Sequence, residues 1–183
     1  MNTILYINPI GNEICFQIFI TSETITKSLQ KNLETAATFP KMLVDIVDEY
    51  NISEIWCIVG PGAFTLMRVI TLAMNALTYT HNIALKSCHF FDLIKNSNNA
   101  ILELNPKEYL IRDSFGIRSI SKEFILPGIY EGIISSNLST EGIKYIQYSD
   151  SRDTIFSTFR TKDTEVRIVP IYFKPPHITG LKT

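Results

Sequence analysis

The chain has 183 residues, 45% hydrophobic and 19% charged, with mean hydropathy +0.12. That composition excludes a disordered chain and allows one large domain or two small lobes with a substantial core. A formal net charge of −1 and a pI of about 6.3 exclude a global basic field that would collect nucleic acid by counterion release. If RNA is involved, another subunit brings the positive charge. Cys15, Cys57 and Cys88 lie far apart in apolar segments without C-x-x-C spacing, so they read as buried free thiols rather than a zinc site or disulfide framework. The first residues, "MNTILYINPIGNE", lack the basic region and long apolar run of a signal peptide, and no uninterrupted apolar run reaches about 18 residues. The expected location is the cytoplasm, with no membrane contact.

In chain order, "TILYINPI" and "ICFQIFITS" read as two strands of a hairpin joined at Gly11-Asn12, a pair suited to positive φ. "ETITKSLQK" is a weaker third strand. Phe39, Met42, Leu43, Ile46, Val47 and Tyr50 recur at helical spacing, which predicts an amphipathic helix starting near Phe39, with Pro40 in its first turn. "EIWCIVG" is a short apolar strand that passes through Gly60-Pro61-Gly62 into a helix from about Phe64 to Tyr79. "IALKSCHFFDLIK" offers a strand from Ile83 to about Lys86 and the start of a further helix. The alternation of strand and helix predicts an α/β sheet whose last strands are parallel. Asn-rich "NSNNA" at 96–100 marks a lobe boundary, giving a first lobe over 1–98 and a smaller mixed lobe over 99–183. In the latter, "AILELN", "EYLIRD", "RSISKEFIL", "GIYEGIIS" and "KYIQYS" read as short strands and "TIFSTF" as a short helix. "VRIVPIYF" reads as a closing strand and "KPPHITGLKT" as an irregular tail. No sequence repeat is visible.

The glycine-proline turn invites a phosphate reading. "GPGAFTLMR" lacks the lysine and spacing of a Walker loop, Thr65 stands where a dinucleotide fingerprint needs its third glycine, and Pro61 removes an N–H donor. Capping of the next helix by Thr65 or by backbone alone is the plainer role. The helix itself is apolar almost all round: its polar residues Arg68, Thr71, Asn75 and Thr78 fall at i, i+3, i+7 and i+10, one narrow stripe. Such a helix needs cover on more than one side, from the second lobe and first helix or from another chain, and a partner chain is the favoured cover because the second lobe is small. His81, His89 and His177 have no companions at metal-ligand spacing. Asp45, Asp48 and Glu49 form a solvated face, and Ser87-Cys88-His89 lacks a nucleophile elbow.

"VGPGAFTLMRVITLAMNAL" resembles the "GPGSFTGLRIG" segment and following alanine-rich helix of the TsaB family, also called YeaZ, and "PIYFK" at Pro170 to Lys174 is similar to its "P-x-Y-x-[RK]". The resemblance implies an α/β, two-lobed ASKHA (actin-like/Hsp70-like) fold with a reduced second lobe. It implies a shortened, divergent, non-catalytic subunit without cofactor or metal that pairs with a TsaD-like catalytic subunit and a TsaE-like ATPase. That assembly installs threonylcarbamoyl on the adenosine next to the tRNA anticodon, so tRNA would be met only indirectly. The two helices, about 39–50 and 64–79, would bundle with those of the partner. The partner-binding residues so implied are Phe39, Leu43, Ile46, Val47, Gly60, Pro61, Gly62, Phe64, Thr65, Met67, Arg68, Ile70, Thr71 and Met74.

This sequence departs from the family pattern at several places. Asn8-Pro9 replaces an Asp-Thr pair at the end of the first strand, Ala63 replaces a serine, Leu66 replaces a glycine, and "LNPKEYLI" only echoes "DAR-x-x-E-V-Y". Neutral Asn8 and donor-less Pro9 weaken a nucleotide role, and Leu66 requires a reshaped interface. Two alternatives stay open: a degenerate ASKHA phosphotransferase or ATPase, and a homodimer that buries the same helices.

Overall fold

A computed structural model of the chain describes residues 2–95, 99–105, 107–134 and 142–172. Strands β1 (Ile4–Asn8), β2 (Glu13–Ile20) and β3 (Glu23–Gln30) form an antiparallel meander, followed by helix α1 (Thr35–Tyr50), β4 (Glu54–Ile58), α2 (Phe64–His81) and β5 (Ala84–Cys88). The sheet order is β3-β2-β1-β4-β5, with β4 parallel to β1 and β5 parallel to β4. β1 is apolar at nearly every position because both of its faces are covered, whereas β3 is an edge strand with polar residues alternating outward. That half-exposure explains its weak signal in the sequence. Gly11 takes φ +86° in the first turn.

α1 begins at Thr35, earlier than Pro40 suggests. Asn32 Oδ1 accepts from the Glu34 N–H, and Thr35 Oγ1 accepts from the Asn32 N–H, so this entry turn is held without a side-chain cap on Glu34. Asn51 and Asn82 end α1 and α2 in the left-handed conformation, at φ 50° and 52°.

The second half supplies β6 (Ala100–Asn105), β7 (Glu108–Asp113), β8 (Gly116–Ser121), β9 (Gly128–Ile133), β10 (Ile143–Gln147) and α3 (Arg152–Phe159). Its sheet order, β10-β9-β6-β7-β8, repeats the first: three antiparallel strands, a fourth parallel to the first of them, a fifth parallel to the fourth. The repeat is one of topology that the sequence does not display. Where the first sheet inserts α1, the second has a 3-10 turn at Lys122–Phe124.

α1 and α2 cover one face of the first sheet, packing Phe39, Leu43, Ile46, Ile70 and Met74 on Leu5, Ile7, Phe16 and Ile55. The opposite face, with Tyr6, Phe19, Trp56 and Ile58, meets α3 and one side of the second sheet through Ala100, Leu102 and Leu110. Phe159 stacks on Trp56 with ring centroids 5.2 Å apart, so the chain after β10 returns to the first sheet.

Two expectations are corrected. After β5 the described residues form a 3-10 turn, Phe90–Leu93, opened by a capping box of His89 and Asp92 and ended at Ile94, whose φ −92° and ψ 87° lie outside the helical region. Residues 165–172 form an extended strap rather than a strand, since Pro170 lacks a donor and the strap's hydrogen bonds are scattered along its length. His177 and the tail from Phe173 onward, including the end of "PIYFK", lie outside the described residues, as do positions 96–98 at the expected lobe boundary.

Candidate partner-binding surface and the cleft between the sheets

The glycine-proline turn is a packing device. Gly60 sits at φ +140°, and a Cβ there would lie 2.3 Å from the Ile171 carbonyl oxygen. Only glycine admits that approach. The turn is fastened on both sides: the Phe90 N–H donates to the Gly60 carbonyl (2.9 Å), Val59 N–H to Cys88 O (3.0 Å), and Ile171 N–H to Val59 O (2.7 Å). The N-cap of α2 is Ala63, which has no side chain able to cap, and Thr65 stays exposed. The backbone alone starts the helix, with the Met67 N–H on the Ala63 carbonyl at 2.9 Å.

The structure divides the fourteen expected partner-binding residues. Met67, Ile70 and Met74 are fully buried, Ile70 and Met74 against the first sheet with Phe39, Leu43, Ile46 and Val47 beside them, so these side chains belong to the chain's own interior and not to its surface. Thr71, Gly60 and Pro61 are buried as well, and Gly62 is half-buried. Exposed Thr65 and Arg68 remain, with half-exposed Phe64 between the Arg68 guanidinium (5.3 Å) and the Tyr172 ring (4.5 Å).

The outward stripe of α2 runs instead through Thr65, Arg68, Leu72, Ala76 and Tyr79, with Leu72 63% and Tyr79 87% exposed. Val69 and Ala73 are half-exposed along its border, and Val44 is exposed on α1. Arg68 is the only charge on that stripe. Sequence reasoning missed it because Thr71 was placed with Met67, Ile70 and Met74 on the partner-binding face. Thr71 and Thr78 point inward, where their hydroxyls donate to the carbonyls of Met67 (2.9 Å) and Met74 (2.8 Å) one turn back. A threonine satisfied by its own helix is no sign of solvent. Counting Thr71 and Thr78 as inward would have rotated the predicted outer face onto Leu72 and Tyr79.

A second polar cluster lies between the sheets. Asp150, just before α3, accepts from the Tyr6 hydroxyl on Oδ1 (2.8 Å) and from Asn8 Nδ2 on Oδ2 (2.7 Å), while Gln17 Nε2 donates to its carbonyl (3.2 Å). Burial pushes the Asp150 carboxyl above the usual carboxylate range, against the hydrogen bonds that favour its charge. Burial and the adjoining Asp150 also push the Tyr6 phenol up. Asn8 Oδ1 accepts from the Ile10 N–H at 2.9 Å, so both ends of this amide are occupied.

The Lys31 ammonium donates to the carbonyls of Pro9 (2.6 Å) and Gly11, and burial lowers its pKa to about 8. A phosphate approaching this turn would meet the Asp150 carboxyl and a lysine with two of its three N–H donors held by carbonyls. These residues do not fit a nucleotide and its metal. A polar pocket of about 260 Å³ opens nearby, lined by Lys95, Glu131, Ser149, Ser151 and Thr154 among others. His89 Nδ1 accepts from the Phe91 N–H (3.1 Å), and burial lowers the His89 pKa. His89 is thus a neutral structural cap. Among the described residues no three His, Cys, Asp or Glu side chains form a metal cluster, and no helix is long and apolar enough to cross a membrane.

Two mixed five-stranded sheets of one topology, with three helices packed about the first of them, define an α/β protein with an internally repeated sheet plan. Its fold is similar to that of YeaZ from Pseudomonas aeruginosa: TM-score 0.51 at 12% identity, covering 72% of this chain and 75% of that one. It is likewise similar to an uncharacterised protein described as resembling the peptidase YeaZ from Pseudomonas aeruginosa, at TM-score 0.53 and 14% identity over the same shares. No protein-family model and no curated protein sequence matches the chain.

Proposed function

We propose that the chain is a non-catalytic scaffold subunit of TsaB (YeaZ) type, built on a two-lobed ASKHA plan whose second lobe has lost helices. On this reading it holds a TsaD-like catalytic subunit, with a TsaE-like ATPase in the same assembly, for threonylcarbamoylation of the adenosine next to the tRNA anticodon. The observation that carries it is the outer stripe of α2, apolar at Leu72, Ala76 and Tyr79 with the single charge of Arg68. A helix that buries one face on its own sheet and still presents such a stripe has the character of a docking surface. The similarity of fold to YeaZ supports the family, and the occupied hydrogen-bonding groups around Asn8, Lys31 and Asp150 support a role without nucleotide chemistry. A net charge of −1 supports contact with tRNA through the other subunits.

The partner-facing residues on this reading are Thr65, Arg68, Leu72, Ala76 and Tyr79, flanked by Val44, Val69 and Ala73. Co-expression with the TsaD-like protein of the same genome, followed by size exclusion, tests it. Co-elution of the wild type and separate elution of Leu72→Glu are expected. Separate elution of the wild type would refute the scaffold role.

A further inference from the structure

The strap at residues 165–172 runs beside α2 from the edge of the first sheet to the glycine-proline turn. At its start the Glu165 N–H donates to the Leu85 carbonyl (2.7 Å), while the Glu165 carboxylate accepts from the Ser87 N–H (3.0 Å) and hydroxyl (2.5 Å). In its middle, Asn75 of α2 reads both main-chain groups of one residue: its Nδ2 donates to the Ile168 carbonyl and its Oδ1 accepts from the Ile168 N–H, each at 2.9 Å. Near its end Ile171 bonds to Val59, and Tyr172 packs on Phe64. α1 lies toward β2 and β3, where Phe39 stacks on Phe16 and Glu49 pairs with Lys27. α2 is therefore flanked by α1 on one side and the strap on the other.

We infer that this strap is part of the partner-binding face, presented beside α2 for the same catalytic subunit; this rests on the docking role proposed for α2. Ile168 alone is inserted into the core. Val166, Val169 and Ile171 are 99, 60 and 39% exposed. A strap that only closed the edge of β5 would carry polar residues outward, and single exposed apolar residues would need no explanation. Three outward apolar residues within six positions, on a strap tied to α2 at Asn75 and Phe64, add to the exposed apolar area of Leu72 and Tyr79.

Area points the same way. The 18 residues of α2 make a rod about 27 Å long. An outer strip about 10 Å wide offers roughly 270 Å², well below the ~800 Å² per partner of a stable specific interface. α1 turns Lys41, Asp45, Asp48 and Glu49 outward, with Ala36, Ala37, Thr38 and Val44 exposed among them, whereas the strap adds the larger apolar side chains Val166, Val169 and Ile171 on the other side of α2. Arg68 and Arg167, both exposed, make no ion pair among the described residues, so the fitting occupant is an apolar helical face edged with carboxylates.

The test uses the full chain and the TsaD-like protein of the same genome, with affinity measured for wild type, Leu72→Glu, the pair Val166→Asp with Val169→Asp, and Asn75→Ala. The valine pair is expected to weaken binding at least tenfold with the melting temperature of the isolated chain unchanged. Asn75→Ala is expected to weaken binding through loss of strap position, with a lower melting temperature. Wild-type affinity of the valine pair, beside loss of binding in Leu72→Glu, would overturn the strap assignment and leave the α2 reading standing. Wild-type affinity of both, or no binding by the wild-type chain, would overturn the two together.

Discussion

Ile70 and Leu72 are two residues apart on α2, yet one is fully buried in the core and the other 63% exposed. Truncating each to alanine separates the helix's inner and outer roles. Ile70→Ala removes three carbons from a packed site between α2 and the first sheet, which costs about 2–5 kcal/mol. At roughly 2–4 °C per kcal/mol for a chain of this size, the melting temperature should fall by about 5–15 °C. Leu72→Ala removes as many carbons from water-facing surface and replaces leucine with a better helix former, so its effect should stay within about 0.5 kcal/mol, or ~2 °C. Thermal unfolding followed by far-ultraviolet circular dichroism at two protein concentrations measures both. Equal losses for the two variants would refute the division into core and docking faces. If the loss at Leu72 also grew with protein concentration, a second copy would be covering that stripe.

Gly60→Ala forces an L side chain into a region glycine favours and drives the Ile171 carbonyl away, breaking the bond from Ile171 to Val59. Strain of about 1–3 kcal/mol and a lost hydrogen bond of about 1 kcal/mol add to roughly 2–4 kcal/mol, lowering the melting temperature by about 5–15 °C. Gly62→Ala should cost about half as much, because the new Cβ meets a side chain rather than backbone, Met67 at Sδ (2.8 Å) and Cγ (2.9 Å). A melting temperature for Gly60→Ala within 2 °C of wild type would contradict the close approach. Asp150 supplies a pH test. Its folded pKa is raised by burial above the ordinary 3.8, so the stability it contributes is fully present below that value and is lost as pH rises through the folded pKa. The melting-temperature difference between wild type and Asp150→Asn should therefore favour wild type more at pH 4 than at pH 8, and a difference independent of pH would contradict a buried carboxyl.

Much of the first sheet was legible because its residues answer to local rules. β1 and β4 are apolar runs, Gly11-Asn12 makes the turn, and α1 repeats its core residues at helical spacing. The outer stripe of α2 was not legible, since Thr71 and Thr78 conceal their polarity within the helix. Asp150 escaped notice for a different reason. It lies 144 residues from Tyr6 and 142 from Asn8, and no spacing pattern announces a contact made by returning the chain across two sheets. The departure of Asn8 from the TsaB pattern was visible, but the carboxylate that faces it was not. The strap misled as a strand because "VRIVPIYF" has strand composition, while Pro170 and separate bonds to Leu85, Asn75 and Val59, in place of a continuous ladder, decide its form.

The second sheet also exposes apolar side chains, so the proposal of α2 as the docking surface needs a physical reason. Phe115 projects from the turn between β7 and β8 and lies under the Arg118 guanidinium at 5.7 Å, while Phe124 and Leu126 sit in and just after the 3-10 turn that stands where the first half has α1. Phe115, Phe124 and Leu126 occupy separate turns, whose conformations must each be fixed on binding at an entropic cost, and exposed Ile117, Ile129 and Ile146 stand one to a strand on β8, β9 and β10. Leu72, Ala76 and Tyr79 share one helix whose opposite side is locked into the core by Ile70, Met74 and Leu77, and the strap beside them is tied to Asn75 and Ser87. Their positions are set before a partner arrives. The cost of ordering this face has already been met in folding, and the second sheet contributes by covering the other side of the first, leaving the α1–α2 side free to be shared.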